Sequence, residues 1–147
     1  MTESVSDSAQ GVLSLALLLK QSEQRIRLRL QPALDEAGLT LEHWWIMSVL
    51  HERPGIGMSP LAEAAAVPSA TLTRHMDKLV ERGMIVRRID PDDKRRVVAA
   101  LSPTGEALAD RLRHEERQIE AAIAAGLGEQ RFRALSRELA LLPHALG

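Results

Sequence analysis

Apolar residues recur with helical spacing from Gln10 to about Ala37, where Leu15, Leu19, Ser22, Ile26, Leu30 and Ala33 share one side. Arg25, Arg27 and Arg29 partly occupy the other. Pro32 is expected to kink this helix or open its last short segment, and Gly38 to end it. Thr40 has N-cap chemistry for a second helix, Leu41 to about His51, with Glu42 in its first turn. That helix is apolar nearly all round (Leu41, Trp44, Trp45, Ile46, Met47, Val49, Leu50), which predicts burial on more than one face. Pro54, Gly55 and Gly57 predict a loop. Ser59-Pro60 then reads as an N-cap with proline at the first helical position, opening a third helix to about Ala66. A fourth helix runs from about Ser69 to Arg82 and stops at Gly83. Two short helices joined by a tight turn are a helix-turn-helix candidate.

After Gly83 the period changes from helix to strand. Met84 to Ile89 and Val97 to Leu101 predict a β-hairpin, with a charged tip from Asp90 to Lys94 that contains Pro91. Ser102-Pro103 opens a long helix to about Ala125, broken by Gly126 and Gly128. A last helix, Glu129 to about Leu142, carries Phe132, Leu135, Leu139 and Leu142 on one stripe. The expected fold is mainly α (α+β), a winged helix-turn-helix with six helices and one β-hairpin wing. Segment 40–101 is the winged part, within a single unit of 147 residues. Segments 10–37 and 103–146 carry three long apolar stripes with little to cover them but each other and a second copy of the chain. A homodimer is therefore expected.

Composition fits one globular domain, with 45% hydrophobic, 27% charged and 2% aromatic residues, so the core must be aliphatic. There is no cysteine, which excludes disulfides, thiolate metal sites and thiol redox sensing. The longest apolar run, Val12 to Leu19, is broken by Ser14 and is too short to span a bilayer. Glu3 and Asp7, with no early Lys or Arg, do not resemble a signal peptide, so a cytoplasmic protein without membrane contact is expected. Residues 1–9 are expected to form a polar tail.

The net charge is −1, but it is unevenly distributed. Pro68 to Arg96 holds eight basic residues against five acidic ones. On the fourth helix Leu72, Met76, Leu79 and Val80 face inward with His75 at their edge, while Ala70, Thr71, Arg74, Asp77, Lys78 and Glu81 face outward. Small and hydroxyl residues followed by Arg or Lys are what a helix needs to approach base edges and phosphates. Ser69, Ala70, Thr71, Thr73, Arg74 and Lys78 are accordingly the candidate DNA contacts of this helix. Asp77 and Glu81 are expected to pair with Arg74 and Lys78 at i, i+3. Asp93, Lys94, Arg95 and Arg96 sit at the hairpin tip, where Arg reaches a narrow minor groove and Asp93 can orient Arg95. Double-stranded DNA is the partner this charge pattern selects. The competing reading is a winged helix used only for protein contacts, which has no need of clustered Arg.

The chain resembles the MarR family of winged-helix regulators. The resemblance is carried by Gly38-Leu39-Thr40 with Trp44, by Ser59-Pro60-Leu61-Ala62-Glu63, by Thr71-Leu72-Thr73-Arg74, and by Leu79-Val80-Glu81-Arg82-Gly83-Met84-Ile85. Asp90-Pro91-Asp92-Asp93-Lys94-Arg95 and Leu101-Ser102-Pro103-Thr104-Gly105 complete it, and the last two stretches are the specific part. The resemblance implies a homodimer on a pseudo-palindromic operator, a repressor role, and a small aromatic effector bound between the dimer helices and the DNA-reading part. Trp44, Trp45 and Met47 are the candidate ligand residues, with Trp44 read first as core packing. Pro68 departs from the family's polar N-cap, so Ser69 is expected to cap instead. Glu42-His43, approached by His114 or Glu116, resembles part of the site of zinc-responsive relatives, but a second histidine pair is missing and no metal ligand is assigned. No catalytic motif and no cofactor site is read from the sequence.

Overall fold

The computed structural model describes residues 13–147. The tail expected over residues 1–9 and the helix start expected at Gln10 lie outside the described residues. Helix α1 (Leu15–Ala37) begins where the Ser14 hydroxyl accepts the Leu17 N–H at 3.1 Å. It ends at Gly38, whose φ of 68° lets the Leu39 N–H reach back to the Leu34 carbonyl at 2.9 Å. The helix runs on through Pro32 rather than restarting there. Leu30 and Leu34, both fully buried, bracket the proline, and their packing outweighs the one lost backbone bond.

Helix α2 (Leu41–Glu52) opens with a reciprocal cap: the His43 N–H donates to the Thr40 hydroxyl, and the Thr40 N–H donates to His43 Nδ1. The expected loop that follows contains a short strand, β1 (Ile56–Gly57), which leads into α3 (Met58–Ala65). Gly57, not Ser59, is the cap of α3. Because Ile56 and Gly57 are paired in a sheet, the chain passes directly from strand to helix. Ser59 and Pro60 then fall inside the first turn, where proline lacks only an N–H that has no helical acceptor anyway. Helix α4 (Ser69–Glu81) follows, then β2 (Ile85–Ile89) and β3 (Val97–Leu101). The sheet is antiparallel in the order β1-β3-β2, with Ile85 opposite Leu101 and Ile56 opposite Ala99.

Helix α5 (Pro103–Leu127) continues past Gly126 and ends at Gly128, where φ is 94°. Gly126 does not break it because its φ is not left-handed and half-buried Ile123 packs one turn earlier against the core. Helix α6 (Glu129–Leu146) passes through Pro143 and ends four residues beyond the expected Leu142; a proline this close to a terminus removes little of the ladder.

The core lies where α2, α3, α4 and the inner sheet face meet the C-terminal part of α1 and the first half of α5. Trp44, Met47, Leu50, Leu61, Leu72, Met76, Leu79, Ile85 and Leu112 are all fully buried there. Helix α6 contributes no buried residue. Beside it, α1, α5 and α6 enclose an apolar groove of about 1030 Å³ that includes Leu19, Ile26, Ile119, Phe132, Leu135 and Leu139. Among the described residues no helix is long and apolar enough to cross a membrane.

Candidate nucleic-acid interface

The turn between α3 and α4 is made without glycine. Ala66 takes a left-handed φ of 55°, and the Val67 N–H closes on the Ala62 carbonyl at 3.0 Å. Pro68 caps α4 without a side-chain hydrogen bond, so Ser69 is its first residue and not its cap. The first intrahelical bond runs from the Leu72 N–H to the Pro68 carbonyl at 2.8 Å. The N–H groups of Ser69, Ala70 and Thr71 therefore precede the ladder, and a helix start with open N–H groups suits a phosphate. Ser69, Ala70, Thr73, Arg74 and Lys78 are exposed and Thr71 is half-buried. The Thr73 hydroxyl is turned back onto the Ser69 carbonyl at 3.1 Å.

The expected pairing along the helix does not form. Asp77 is bound instead by Arg87 of β2, at 2.9 Å. Among the described residues Arg74 and Lys78 have no acidic partner. The Asp77–Arg87 pair also ties the outer face of α4 to the first strand of the hairpin.

At the hairpin tip Asp93 accepts the Arg95 backbone N–H at 3.0 Å and lies 3.6 Å from Arg95 Nε. The Arg95 side chain is 94% exposed, so the carboxylate orients a guanidinium that otherwise stands free in solvent. Lys94 is exposed beside it. Arg96 behaves differently. It folds back toward Asp90 at 3.8 Å and lies across Gly57, where a Cβ would come within 2.6 Å of its Nε. Arg96 braces the hairpin against β1 and is not part of the projecting tip.

The hairpin is joined to the rest by Ser102. Its hydroxyl donates to the Gly83 carbonyl at 2.5 Å and accepts the Gly105 N–H at 3.0 Å, while its N–H donates to the Met84 carbonyl at 2.9 Å. These bonds fix the start of α5 to the end of α4. A second joint is made by Arg82, at the C-terminus of α4, which donates to the carbonyls of Gly38 (2.6 Å) and Ala37 (2.9 Å). The last carbonyls of α1 are thus capped by the helix that presents Arg74. The sequence alone does not show Arg82 and Arg87 as joints between elements, because their partners lie 44 and 10 residues away.

Trp44 and Met47 are fully buried, while Trp45 is half-buried with the Arg27 guanidinium 6.0 Å from its ring centre. None of the three lines the groove beside α6. The residues that resembled a zinc site are not brought together. Glu42 faces Arg27 at 3.8 Å, His114 meets Gln118, Glu116 meets Arg113, and His43 serves the α2 cap.

His43 is buried, with its ring edge-on to His75 of α4 at 4.7 Å. Burial chiefly, then His75, Lys78 and Arg82, hold its pKa below 6.5, against a smaller opposite effect of Glu42. As pH falls below about 6.5 the unfolded chain takes up a proton that native His43 refuses, so its contribution to stability is complete above that value and is lost on acidification toward its lowered native pKa. Urea unfolding at fixed protein concentration between pH 7 and 5 should show a shallower decline for His43→Gln, which keeps an acceptor for the cap but does not titrate. Parallel pH profiles would refute this.

A family model described as MarR family matches residues 39–97. The regulator FarR of Neisseria gonorrhoeae is 29% identical over 136 residues, covering 90% of this chain and 93% of its own. The homoprotocatechuate degradative operon repressor of Escherichia coli is 27% identical, covering 87% and 89%. Among solved structures, NadR in complex with 4-hydroxyphenylacetate is 28% identical, covers 88% of this chain and 92% of its own, and superposes with a TM-score of 0.83. The matches to these relatives cover 87–90% of the chain, the winged part included. The chain belongs to the MarR family of winged helix-turn-helix transcriptional regulators.

Proposed function

We propose that this protein is a dimeric repressor that docks the start of α4 in successive major grooves of a pseudo-palindromic operator and inserts the hairpin tip alongside. The observation that carries the reading is the pairing pattern of the cations: Asp77 is occupied by Arg87, leaving Arg74 and Lys78 open on the exposed face, and Asp93 aims a solvent-exposed Arg95. Ser69, Ala70, Thr71 and Thr73 supply the small and hydroxyl surface between them. Lys94 adds phosphate attraction, whereas Arg96 acts through the shape of the hairpin. Helices α1, α5 and α6 form the dimer, which sets half-sites about 10 base pairs apart. The repressor role is supported by the names of relatives such as the homoprotocatechuate operon repressor. Release by a small aromatic acid is supported by the 4-hydroxyphenylacetate bound to NadR and by Trp45 beside Arg27, an aromatic face paired with a cation.

One binding experiment tests the reading. Operator selected from genomic fragments should be an inverted repeat. Arg74→Ala should weaken its binding by about 1–3 kcal/mol if the contact is bidentate, and should relax specificity at one position of each half-site. Arg95→Ala should weaken binding to all sequences more evenly. Addition of 4-hydroxyphenylacetate tests whether this class of acid releases the wild-type complex. If both variants bind as the wild type does, or if only single asymmetric sites are recovered, the docking is wrong.

A further inference from the structure

We propose that His51, Glu106 and Asp110 bind one divalent transition-metal ion per chain, as a clip between the end of α2 and the start of α5. His51 Nδ1 lies 3.0 Å from Glu106 Oε2, and its Nε2 lies 3.5 Å from Asp110 Oδ1. One ligand atom from each residue falls within 4.8 Å of the others. Two donors sharing a zinc ion at about 2.0–2.2 Å stand about 3.0–3.5 Å apart, so each carboxylate already has that spacing from one ring nitrogen, and the second reaches the same ion by a side-chain rotation. Glu106 and Asp110 are one helical turn apart on α5, which brings one carboxylate to each ring nitrogen of His51.

The chemistry of the ring makes the arrangement more than a surface ion pair. A neutral imidazole has one N–H, so it satisfies one carboxylate and turns a lone pair toward the other. Among the described residues neither carboxylate has a second cationic partner. With the ring neutral, the carboxylate that faces the lone pair has no donor, and a cation taken up by that ring nitrogen and the two carboxylates resolves the conflict. One nitrogen and two oxygens suit zinc, cobalt, nickel or manganese, with water completing the shell. The cluster is separate from the residues assigned to DNA, and the proposal does not depend on the operator reading.

The test uses the full chain, stripped by a chelator and returned to metal-free buffer near neutral pH. Zinc alone is titrated by calorimetry, and cobalt by its visible absorption. The expected result is one ion per chain, bound about tenfold or more weakly by Asp110→Asn and by His51→Gln. Zinc should also raise the unfolding temperature of the wild type and not of Asp110→Asn, whose exposed position makes misfolding of that variant an inadequate explanation. Absence of zinc binding at millimolar concentration would overturn the site. So would binding that survives both substitutions, since the ion would then belong to other histidines.

Discussion

Leu135→Asp and Leu139→Asp are each expected to abolish both dimerisation and operator binding, although both residues are remote from α4 and the hairpin. Leu135 is 44% exposed and Leu139 39% exposed in the single chain, and α6 has no buried residue at all. Both line the groove with Leu19, Ile26, Ile119 and Phe132. Each large apolar side chain gains about 1.5–3 kcal/mol on full burial, so a partner chain that fills this groove is held by several such contributions at once. An aspartate in that interface must either stay charged away from water or be neutralised. Arg25 and Arg29 border the same groove and offer an aspartate some rescue, so Leu135→Lys serves as the companion variant. Loss of the dimer converts a two-site grip into single half-site contacts and removes the gain from effective concentration. Sedimentation at micromolar concentration, beside an operator-binding assay, decides the matter. A folded wild-type monomer at that concentration, or a monomeric variant that binds operator tightly, would refute the link.

Features encoded within a few residues were legible without a structure. Thr40 and Ser102 cap helices, Gly38 and Gly83 take the left-handed conformation that ends them, and β3 spans the predicted Val97–Leu101. What escaped depends on distant partners. Strand β1 is two residues long and contains glycine; only its pairing with Ala99 and Val98 makes it a strand, and that pairing moves the α3 cap from Ser59 to Gly57. Prolines were overvalued as breakers. Pro32 sits between two fully buried leucines, and burial on both sides holds the helix together.

The candidate interface divides in the same way. That Arg95 is aimed by Asp93 follows from a two-residue spacing and was readable. That Asp77 binds Arg87, and so frees Arg74, requires knowing that β2 returns along α4. Arg96 looked like a third tip cation, yet its neighbour is Gly57, almost forty positions earlier. His43 was singled out for its chemistry as a ligand. The reciprocal cap with Thr40 shows its Nδ1 already engaged, and a histidine in the place of the more usual Glu or Gln hid that motif.

Gly105→Ala sets two simple rules against each other, and the structure says which prevails. Gly105 is the third residue of α5, and its φ is not left-handed. By helix propensity alone alanine should stabilise this position by about 0.8–1.0 kcal/mol. A Cβ there, however, would overlap the Met84 carbonyl and crowd the Leu101 side chain at 3.4 Å. The obstacle is backbone, so no rotamer change relieves it. That same carbonyl accepts the Ser102 N–H, and Ser102 in turn holds both Gly83 and Gly105. Relief requires lifting the start of α5 away from the α4–β2 corner, which strains or breaks those bonds together. Overpacking of this kind costs about 1–3 kcal/mol, and each hydrogen bond lost costs about 1 kcal/mol more. A net loss of about 3 kcal/mol is expected, a large part of the stability of a domain this size. Because the corner also sets the hairpin against α4, operator affinity should fall even where the variant is fully folded. Urea unfolding at fixed protein concentration, with operator binding measured below the transition, gives both readouts. A variant more stable than the wild type would mean that the close approach of α5 to Met84 is not present in solution.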